Sequence, residues 1–404
     1  MKNAIYLDNN ATTRIDPEVV AAMNECLLAG HVNPASQHQA GQQARAILEN
    51  ARERVASILN VDITSPASDR LIFTSGGTEA NNLAIFGLGK HSIQSARTVI
   101  TSAIEHPSIL SAMDHLPKTD RSIIIKATED GCVDLNGLEE SLDNEIHQDG
   151  DVVLSIMTAN NETGVLQPLD RVVELGKKCQ AVTDRSVFVH TDAVQAVGKI
   201  PVDFTAMEVS AMTISAHKFH GPCGIGALAL RKGVPISPML FGGSQQLNSR
   251  PGTESVALAV GMAVALERWQ AELSERVERL GRLRDRLEAQ LRHEIPDIRV
   301  NGIETNRVPH TSNISFPGID RQAMLMALDF AGIQCATGSA CESGSSEPSH
   351  VLSAMMLPED VISSAIRLSL SAHTTDDEVD QSVCRISKCV NELRKHKSGS
   401  FSAD

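Results

Sequence analysis

The chain of 404 residues carries 36 basic and 50 acidic residues, which gives a formal net charge of −14, and 42% of its residues are hydrophobic. This length exceeds one ordinary core, and about 150 residues per domain predicts roughly two to three domains. The acidic balance argues against a nucleic-acid-binding protein, which needs a basic face to displace phosphate counterions, and the apolar content excludes a wholly disordered chain.

We expect no export signal at the beginning of the chain, because its first ten residues, MKNAIYLDNN, lack an apolar segment and include an acidic residue. The sequence has no run of about 18 apolar residues, so no membrane span is predicted. Its eight cysteines include no C-x-x-C pair, which argues against a zinc site and against a disulfide framework. We therefore expect a cytoplasmic protein with reduced thiols, no resident metal ion and no membrane partner.

Short apolar runs alternate with amphipathic segments between residues 71 and 230. Such alternation predicts strands joined by helices, and therefore an α/β fold with a mostly parallel sheet covered on both faces. The run VVLSIM, apolar at nearly every position, is typical of a strand buried on both faces. The predicted strands are Leu71–Thr74, Thr98–Thr101, Ile123–Ile125, Val152–Ile156, Val187–His190, Ala211–Ile214 and Ala227–Leu230.

A second pattern follows this region. Apolar residues recur every three or four positions from Trp269 to Leu291, and this stripe predicts one long helix that ends before Pro296. Further strands and helices beyond it predict a smaller α+β unit. The predicted division is residues 15–260 as the large domain, residues 1–14 with 261–396 as the small domain, and residues 397–404 as a disordered tail.

A small-residue turn, Ser75–Thr78, follows the first predicted strand and precedes a helical stretch. Small residues there let backbone N–H groups approach a phosphate at a helix N-terminus, and Thr78 adds a hydroxyl donor. The alternative is a tight turn with Thr78 as an ordinary helix cap. The segment alone leaves both interpretations open.

An acid and a lysine follow two later strands. Asp192 lies just past Val187–His190, where a carboxylate points into the usual ligand crevice of an open α/β sheet; the alternative is a helix N-cap. Lys218 closes the strand Ala211–Ile214, and a lysine at such an edge can lose its proton by desolvation and attack a carbonyl. Most lysines are simply solvated, so neither residue is decisive alone.

Together, the three features match one cofactor. Pyridoxal 5′-phosphate needs a turn for its phosphate, an acid that keeps its pyridine nitrogen protonated and a lysine that forms a Schiff base. The Ser75–Thr78 turn, Asp192 and Lys218 supply these groups, each at the end of a separate predicted strand. The combination therefore predicts a pyridoxal phosphate site.

Short motifs run in a fixed order through nearly the whole chain: YLDNNATT (6–13), SGGTEANN (75–82), EHPS (105–108), ANNETG (159–164), HTDAVQAVGK (190–199), SAHK (215–218), RPGTE (250–254), GSACESGSSEPSHV (338–351) and IRLSLS (366–371). This series resembles the cysteine desulfurases of the NifS/IscS class. The resemblance implies the aspartate-aminotransferase-like fold of pyridoxal phosphate enzymes, fold type I.

The resemblance also implies roles for individual residues. Lys218 is the Schiff-base lysine, Asp192 pairs with the pyridine nitrogen, and His106 stacks on the ring and moves protons. Asn161 and Gln195 bind near the ring oxygen, and Asn161 also reaches the substrate. The phosphate is held by Gly77, Thr78, Ser215 and His217, and by Thr253 of a second copy across a homodimer interface.

Cys341 lies in a Gly/Ser-rich segment, Ala336–Ser349. A thiolate in such a segment can enter a site, attack a substrate sulfur and leave as a persulfide; the alternative is a linker that happens to contain a cysteine. The resemblance implies that Cys341 is the persulfide cysteine, which passes sulfur to an iron–sulfur scaffold or other acceptor protein and contacts an iron–sulfur cluster at most transiently. Cys335 is a weaker candidate.

Arg367 alternates with apolar residues in IRLSLS, so it projects from the face opposite to the core residues. A guanidinium there can hold a substrate α-carboxylate through two hydrogen bonds, although an exposed strand arginine would give the same pattern. The resemblance favours the carboxylate role.

The expected reaction converts L-cysteine to L-alanine and leaves a persulfide on Cys341. A selenocysteine lyase, which shares the chemistry, is the first alternative, and an aminotransferase, which would not need Cys341, is a weaker one. Three positions depart from the family pattern: Cys223 replaces a common lysine, Gln246 replaces a common glutamate and Pro251 replaces a small residue. None of these changes removes a catalytic group.

Overall fold

A computed structural model of the protein describes residues 4–30, 32–65, 67–89, 96–145, 150–183, 185–338 and 347–399. Cys341 lies outside the described residues, as do residues 400–404 of the predicted tail. The other predicted site residues are all described.

The strands are β1 (Ile5–Tyr6), β2 (Arg70–Thr74), β3 (Arg97–Ser102), β4 (Arg121–Ile125), β5 (Asp151–Ser155), β6 (Val187–Asp192), β7 (Ala211–Ser215), β8 (Gly226–Leu230), β9 (Arg299–Val300), β10 (Thr311–Ser315), β11 (Ile333–Gln334) and β12 (Ala365–Ser369). The helices are α1 (Pro17–Leu28), α2 (Gln39–Ile58), α3 (Gly77–Gly87), α4 (Pro107–Asp114), α5 (Leu135–Glu145), α6 (Leu169–Val182), α7 (Phe204–Met207), α8 (Val256–Ala271), α9 (Leu273–Glu294), α10 (Arg321–Phe330), α11 (His350–Ala354), α12 (Glu359–Ile362) and α13 (Asp376–Gly399).

The largest sheet of the described residues has seven strands in the order β2–β8–β7–β6–β5–β3–β4. Its neighbouring strands are parallel except at β8, which is antiparallel to both β2 and β7. Each of the seven predicted strands is present, so the mostly parallel sheet is confirmed. Because β2, β3, β5, β6 and β7 share one direction, their carboxyl ends meet at one edge of the sheet.

The helix predicted from Trp269 to Leu291 is wrong as a single element. Two helices occupy this region, α8 and α9, and Glu272 between them has a non-helical backbone with φ −116° and ψ 12°. The helices have different partners, since α8 packs against α1 and α2, whereas α9 packs against α13. The spacing of apolar residues does not register a one-residue break, because both helices continue the same period.

Smaller sheets lie beyond the large one. In the part of the chain that is described, β9, β10 and β12 form an antiparallel sheet, and β1 pairs with β11 in parallel. The boundary predicted at residue 260 falls inside α8, and α13 continues to Gly399, past the predicted start of the tail. The division into two domains remains a prediction. No helix within the described ranges is both long and apolar enough to cross a membrane.

Candidate active site

Lys218 lies directly beyond the large sheet. Strand β7 ends at Ser215, and one 3-10 turn, Ala216–Lys218, delivers the lysine to the sheet edge. The Lys218 Nζ donates to the backbone oxygens of Asn10, at 2.5 Å, and Ala11, at 2.8 Å. The amine is therefore held against the segment that follows β1.

Asp192 is the last residue of β6 and is 6% exposed. Its Oδ2 accepts a hydrogen bond of 2.6 Å from the Asn81 side chain, and its Oδ1 accepts one of 2.9 Å from the Val194 N–H. A turn and not a helix directly follows Asp192. The interpretation of Asp192 as a helix N-cap is therefore wrong. The carboxylate is fixed at the sheet edge with Lys218.

His106 precedes α4 and caps it, since its Nδ1 accepts from the Ser108 N–H at 3.1 Å. Burial lowers the pKa of His106, and the charge of Asp192 opposes this shift only in part. The ring is therefore neutral near pH 7, and because Nδ1 accepts the amide proton, the ring proton lies on Nε2. A neutral imidazole of this kind can exchange protons with a bound molecule.

The Ser75–Thr78 turn starts α3 at Gly77. The N-cap is Gly76, which makes no side-chain capping bond, so the interpretation of Thr78 as the helix cap is wrong. A Cβ on Gly77 would lie 3.1 Å from a methyl group of Val194 and 3.5 Å from the Cβ of Ser215. Glycine is thus favoured there because the backbone approaches β7 and the turn after β6 closely.

His217 adds a neutral imidazole to the same wall. Burial, together with the charges of Lys218 and Lys199, lowers the pKa of His217 to about 4. Its Nδ1 lies 3.2 Å from the hydroxyl of Thr12. A neutral ring beside two lysines can donate a hydrogen bond to an anion without adding another positive charge.

Arg367 is 1% exposed, so the interpretation as an exposed strand arginine is wrong. Its Nη1 donates to the backbone oxygen of Asn161 at 3.0 Å, and its Nη2 donates to Oδ1 of Asp8 at 2.8 Å. These two bonds orient the guanidinium on β12 toward the carboxyl edge of the large sheet.

The predicted residues surround a cavity of about 250 Å³. Its walls contain the predicted residues Gly77, Thr78, His106, Asn161, Asp192, Gln195, Ser215, His217, Lys218 and Arg367. Thr253 is exposed and is not among the lining residues. Lining residues to which the sequence analysis assigned no role are Asn10, Ala11, Asn81, Ser108, Met157, Ala159 and Val194.

Five buried polar atoms of cavity-lining residues have no hydrogen-bond partner among the described residues: Asn81 Oδ1, Asn161 Oδ1, Gln195 Oε1, Ser215 Oγ and Arg367 Nε. Buried polar groups are almost always paired in folded proteins. Unsatisfied donors and acceptors that converge on one cavity therefore indicate a polar ligand. The residues fit pyridoxal phosphate, which offers a phosphate for the turn, a ring nitrogen for Asp192 and a carbonyl for Lys218.

Cys335, the weaker persulfide candidate, follows β11 and packs against the main apolar core. Burial raises the pKa of the Cys335 thiol far above its usual range. A thiol that stays protonated is a poor nucleophile. The position therefore argues against Cys335 as the sulfur carrier.

Comparison with known proteins extends the match to the whole chain. The family model of the class-V aminotransferases matches residues 5–381. The cysteine desulfurase IscS of Dictyoglomus turgidum is 38% identical and covers 98% of this chain and 96% of its own length. The cysteine desulfurase NifS of Azotobacter vinelandii is also 38% identical and covers 96% of this chain and 93% of its own length.

A solved structure agrees with these relatives. The X-ray structure of a NifS-like protein from Rickettsia africae ESF-5 has a TM-score of 0.85 and 32% identity, and the match covers 96% of this chain and 100% of that chain. The class-V aminotransferases are dependent on pyridoxal phosphate, the cofactor that the cavity fits. The chain belongs to the class-V aminotransferase family.

Proposed function

We propose that this chain is a pyridoxal phosphate-dependent cysteine desulfurase that converts L-cysteine to L-alanine and carries the sulfur as a persulfide on Cys341. The observation that carries the proposal is the single cavity in which Lys218, Asp192 and the small-residue turn meet. The full-length relatives named cysteine desulfurase support it. The selenocysteine lyase and aminotransferase alternatives are not favoured.

Each part of the cofactor has a matching group on the cavity wall. Asp192 pairs with the ring nitrogen, and Asn161 and Gln195 bind near the ring oxygen. The side-chain oxygens Asn161 Oδ1 and Gln195 Oε1 have no other partner among the described residues. The phosphate binds to the backbone N–H groups of Gly77 and Thr78 and to the side chains of Thr78, Ser215 and His217. When bound, pyridoxal phosphate provides an electron sink for charge that develops at the substrate α-carbon.

Lys218 and His106 move the protons. The Lys218 amine would take the α-proton of the substrate, because it lies at the carboxyl edge of β7 beside the cavity. His106, with its proton on Nε2, exchanges protons with the substrate from another wall.

Arg367 binds the substrate carboxylate. Its Nε is buried, belongs to a cavity-lining side chain and has no partner in the described part of the chain. Asp8 holds Nη2 and thereby fixes the plane of the guanidinium. A carboxylate placed against the guanidinium satisfies the unused donor through a charge-assisted hydrogen bond.

Sulfur transfer requires Cys341. Its thiolate attacks the substrate sulfur, a sulfur–sulfur bond forms, and the carbon–sulfur bond breaks with its electron pair returning to the organic fragment. Protonation of that fragment gives L-alanine. The persulfide then passes to an acceptor protein, for which we propose an iron–sulfur scaffold.

The proposal includes a homodimer in the cytoplasm. Thr253 is exposed and does not line the cavity of its own chain, which supports a role on the phosphate of a second copy. The exposed apolar side chains of Leu240, Phe241 and Leu247 lie on the segment that precedes it. The cytoplasmic location rests on the reduced thiols expected from the sequence.

The proposal is tested by incubating the purified chain with pyridoxal phosphate, L-cysteine and a reductant. We expect L-alanine and sulfide in equal amounts, and we expect Lys218→Ala to abolish both products. Lys388→Ala, which changes an exposed lysine on α13, serves as the control and should match the wild type. Pyruvate or a transaminated product without L-alanine would contradict the proposal.

A further inference from the structure

Arg250 is connected to the Ser75–Thr78 turn through the side chain of Glu79. Its Nε donates to Oε1 of Glu79 at 2.7 Å, and its Nη2 donates to Oε2 at 3.2 Å. The same Oε2 accepts a hydrogen bond of 2.7 Å from the backbone N–H of Ser75, the first residue of the turn. One carboxylate in the first turn of α3 thus connects Arg250 to the turn that is proposed to hold the phosphate.

Glu79 is a charged group beside that turn. Burial raises the pKa of Glu79, but the hydrogen bonds from Arg250 and Ser75 lower it by more, so the carboxylate is ionised. A phosphate monoester near neutral pH carries a charge of about −1.5 to −2. Without a cation beside it, the Glu79 carboxylate would repel the phosphate, and Arg250 cancels this charge. Only 23% and 14% of the Arg250 and Glu79 side chains are exposed, which limits screening by water.

The segment that carries Arg250 is held in a strained conformation. Gln246, Leu247 and Asn248 have φ values of 49°, 55° and 62°, all in the left-handed region that non-glycine residues avoid. Such backbone persists only where its surroundings impose it. The strain therefore requires contacts that fix this segment.

The Gln246 side chain supplies those contacts. Its Oε1 accepts from the Phe73 N–H of β2 at 3.0 Å and from Arg52 Nη1 at 2.8 Å, and its Nε2 donates to Glu254. A glutamate, common here in the family, would place a second carboxylate against Glu254, so this chain's glutamine suits its neighbours. The amide fixes the strained turn to β2, and the turn places Arg250 on Glu79.

We propose that Arg250 is a positioning residue of the cofactor site: through Glu79 it fixes the Ser75–Thr78 turn and neutralises the carboxylate beside the phosphate. The inference rests on the proposed pyridoxal phosphate site. It assigns Arg250 of the RPGTE motif a role within its own chain, separate from the role expected of Thr253 on a second copy.

The test is a double-mutant cycle on the full chain depleted of cofactor, titrated with pyridoxal phosphate and, separately, with pyridoxal, which lacks the phosphate. Arg250→Gln leaves the Glu79 carboxylate uncompensated, so it should weaken pyridoxal phosphate binding by about tenfold or more. Glu79→Gln should have a smaller effect, and the double variant should recover most of the lost affinity. Pyridoxal affinity should stay the same in all three variants.

Two further variants control for structural damage. Arg250→Lys keeps the charge but not the fork geometry, so it should bind pyridoxal phosphate more tightly than Arg250→Gln, and it tests the same claim should Arg250→Gln fail to fold. Arg54→Gln breaks a pair of similar geometry, Arg54 with Glu267, whose two bonds of 2.6 and 2.5 Å join α2 to α8. It should leave both affinities unchanged.

Three outcomes would overturn the inference. Equal losses of pyridoxal and pyridoxal phosphate affinity would show a general structural role, and unchanged pyridoxal phosphate affinity in both Arg250→Gln and Arg250→Lys would show no role. Absence of cofactor binding by the wild type would overturn the proposed function, and this inference with it. Binding by the wild type that Arg250 variants do not alter would overturn the inference alone.

Discussion

Two buried arginines of this molecule differ in whether all of their hydrogen-bond donors are used. Arg97 and Arg367 are each 1% exposed, each lies on a strand, and each pairs with a carboxylate, Asp120 or Asp8. All three nitrogens of the Arg97 guanidinium have acceptors, namely Asp120 and two backbone carbonyls around the end of α3. The Nε of Arg367 has no partner among the described residues and belongs to a cavity-lining side chain.

Burial alone does not distinguish a structural arginine from one that binds a ligand, but the number of unused donors does. A buried cation whose donors are all used has a structural role, because removing it leaves its partners buried and unpaired. A buried cation that lines a cavity and keeps an unused donor can bind a ligand there. Asn161, Gln195 and Ser215 share this unused capacity with Arg367. Mutations that act on stability should therefore separate from mutations that act on binding.

The largest effect is expected from Arg97→Gln. The change leaves the Asp120 carboxylate buried without its cation, which costs about 3–5 kcal/mol in the free energy of unfolding. Urea denaturation measures the loss. The activity of the remaining folded molecules should match the wild type, and a stable but inactive variant would break the comparison.

Arg367→Lys should act in the opposite way. Lysine keeps the positive charge but loses the planar fork, so kcat/KM for L-cysteine should fall about 10- to 100-fold. Steady-state kinetics and urea denaturation of the same preparation provide the two readouts. A large loss of stability with unchanged kcat/KM would mean that Arg367, like Arg97, has a structural role.

The buried Glu105 should make the free energy of unfolding depend on pH. Burial, and to a lesser extent the charge of Asp192, raises the pKa of Glu105 from 4.5 to about 8. Between these values the folded chain holds a proton that the unfolded chain has lost, so the free energy of unfolding falls as the pH rises. From pH 5 to pH 7 this contribution amounts to about 2–3 kcal/mol.

Glu105→Gln should remove this slope, and Glu139→Gln, at an exposed carboxylate on α5, should retain it. Unfolding midpoints at pH 5, 6 and 7 measure the difference. Equal slopes in the wild type and Glu105→Gln would mean that Glu105 is ionised in the folded chain.

The smallest effect is expected from two hydroxyls on β7. Thr213 Oγ1 lies 3.0 Å from Nε2 of His190, whereas Ser215 Oγ has no partner among the described residues. Thr213→Val should lower the free energy of unfolding by about 1–2 kcal/mol, and Ser215→Ala should weaken pyridoxal phosphate binding by roughly three- to tenfold with unchanged stability. Denaturation and cofactor titration of both variants test this, and reversed outcomes would contradict the assignment.

Local sequence patterns predicted the large sheet well, since its strands are short apolar runs bounded by turns. They did not predict the break at Glu272, because α8 and α9 share one apolar period. Asn81 and Asn10 were missed as site residues, since their bonds to Asp192 and Lys218 join positions 111 and 208 apart in the chain. Both lie in motifs that carried the family resemblance, and that membership was the available signal.

The most direct test of the central claim is a single turnover without reductant, followed by mass spectrometry of the cysteine peptides. With pyridoxal phosphate and L-cysteine, the wild type and Cys223→Ala, which changes an exposed cysteine beside the lysine loop, should each gain one sulfur atom on Cys341. Cys341→Ala should bind L-cysteine but gain no sulfur, and it should release almost no sulfide when a reductant is added afterwards. Sulfur on another cysteine, or sulfide release by Cys341→Ala at the wild-type rate after reductant is added, would contradict the account.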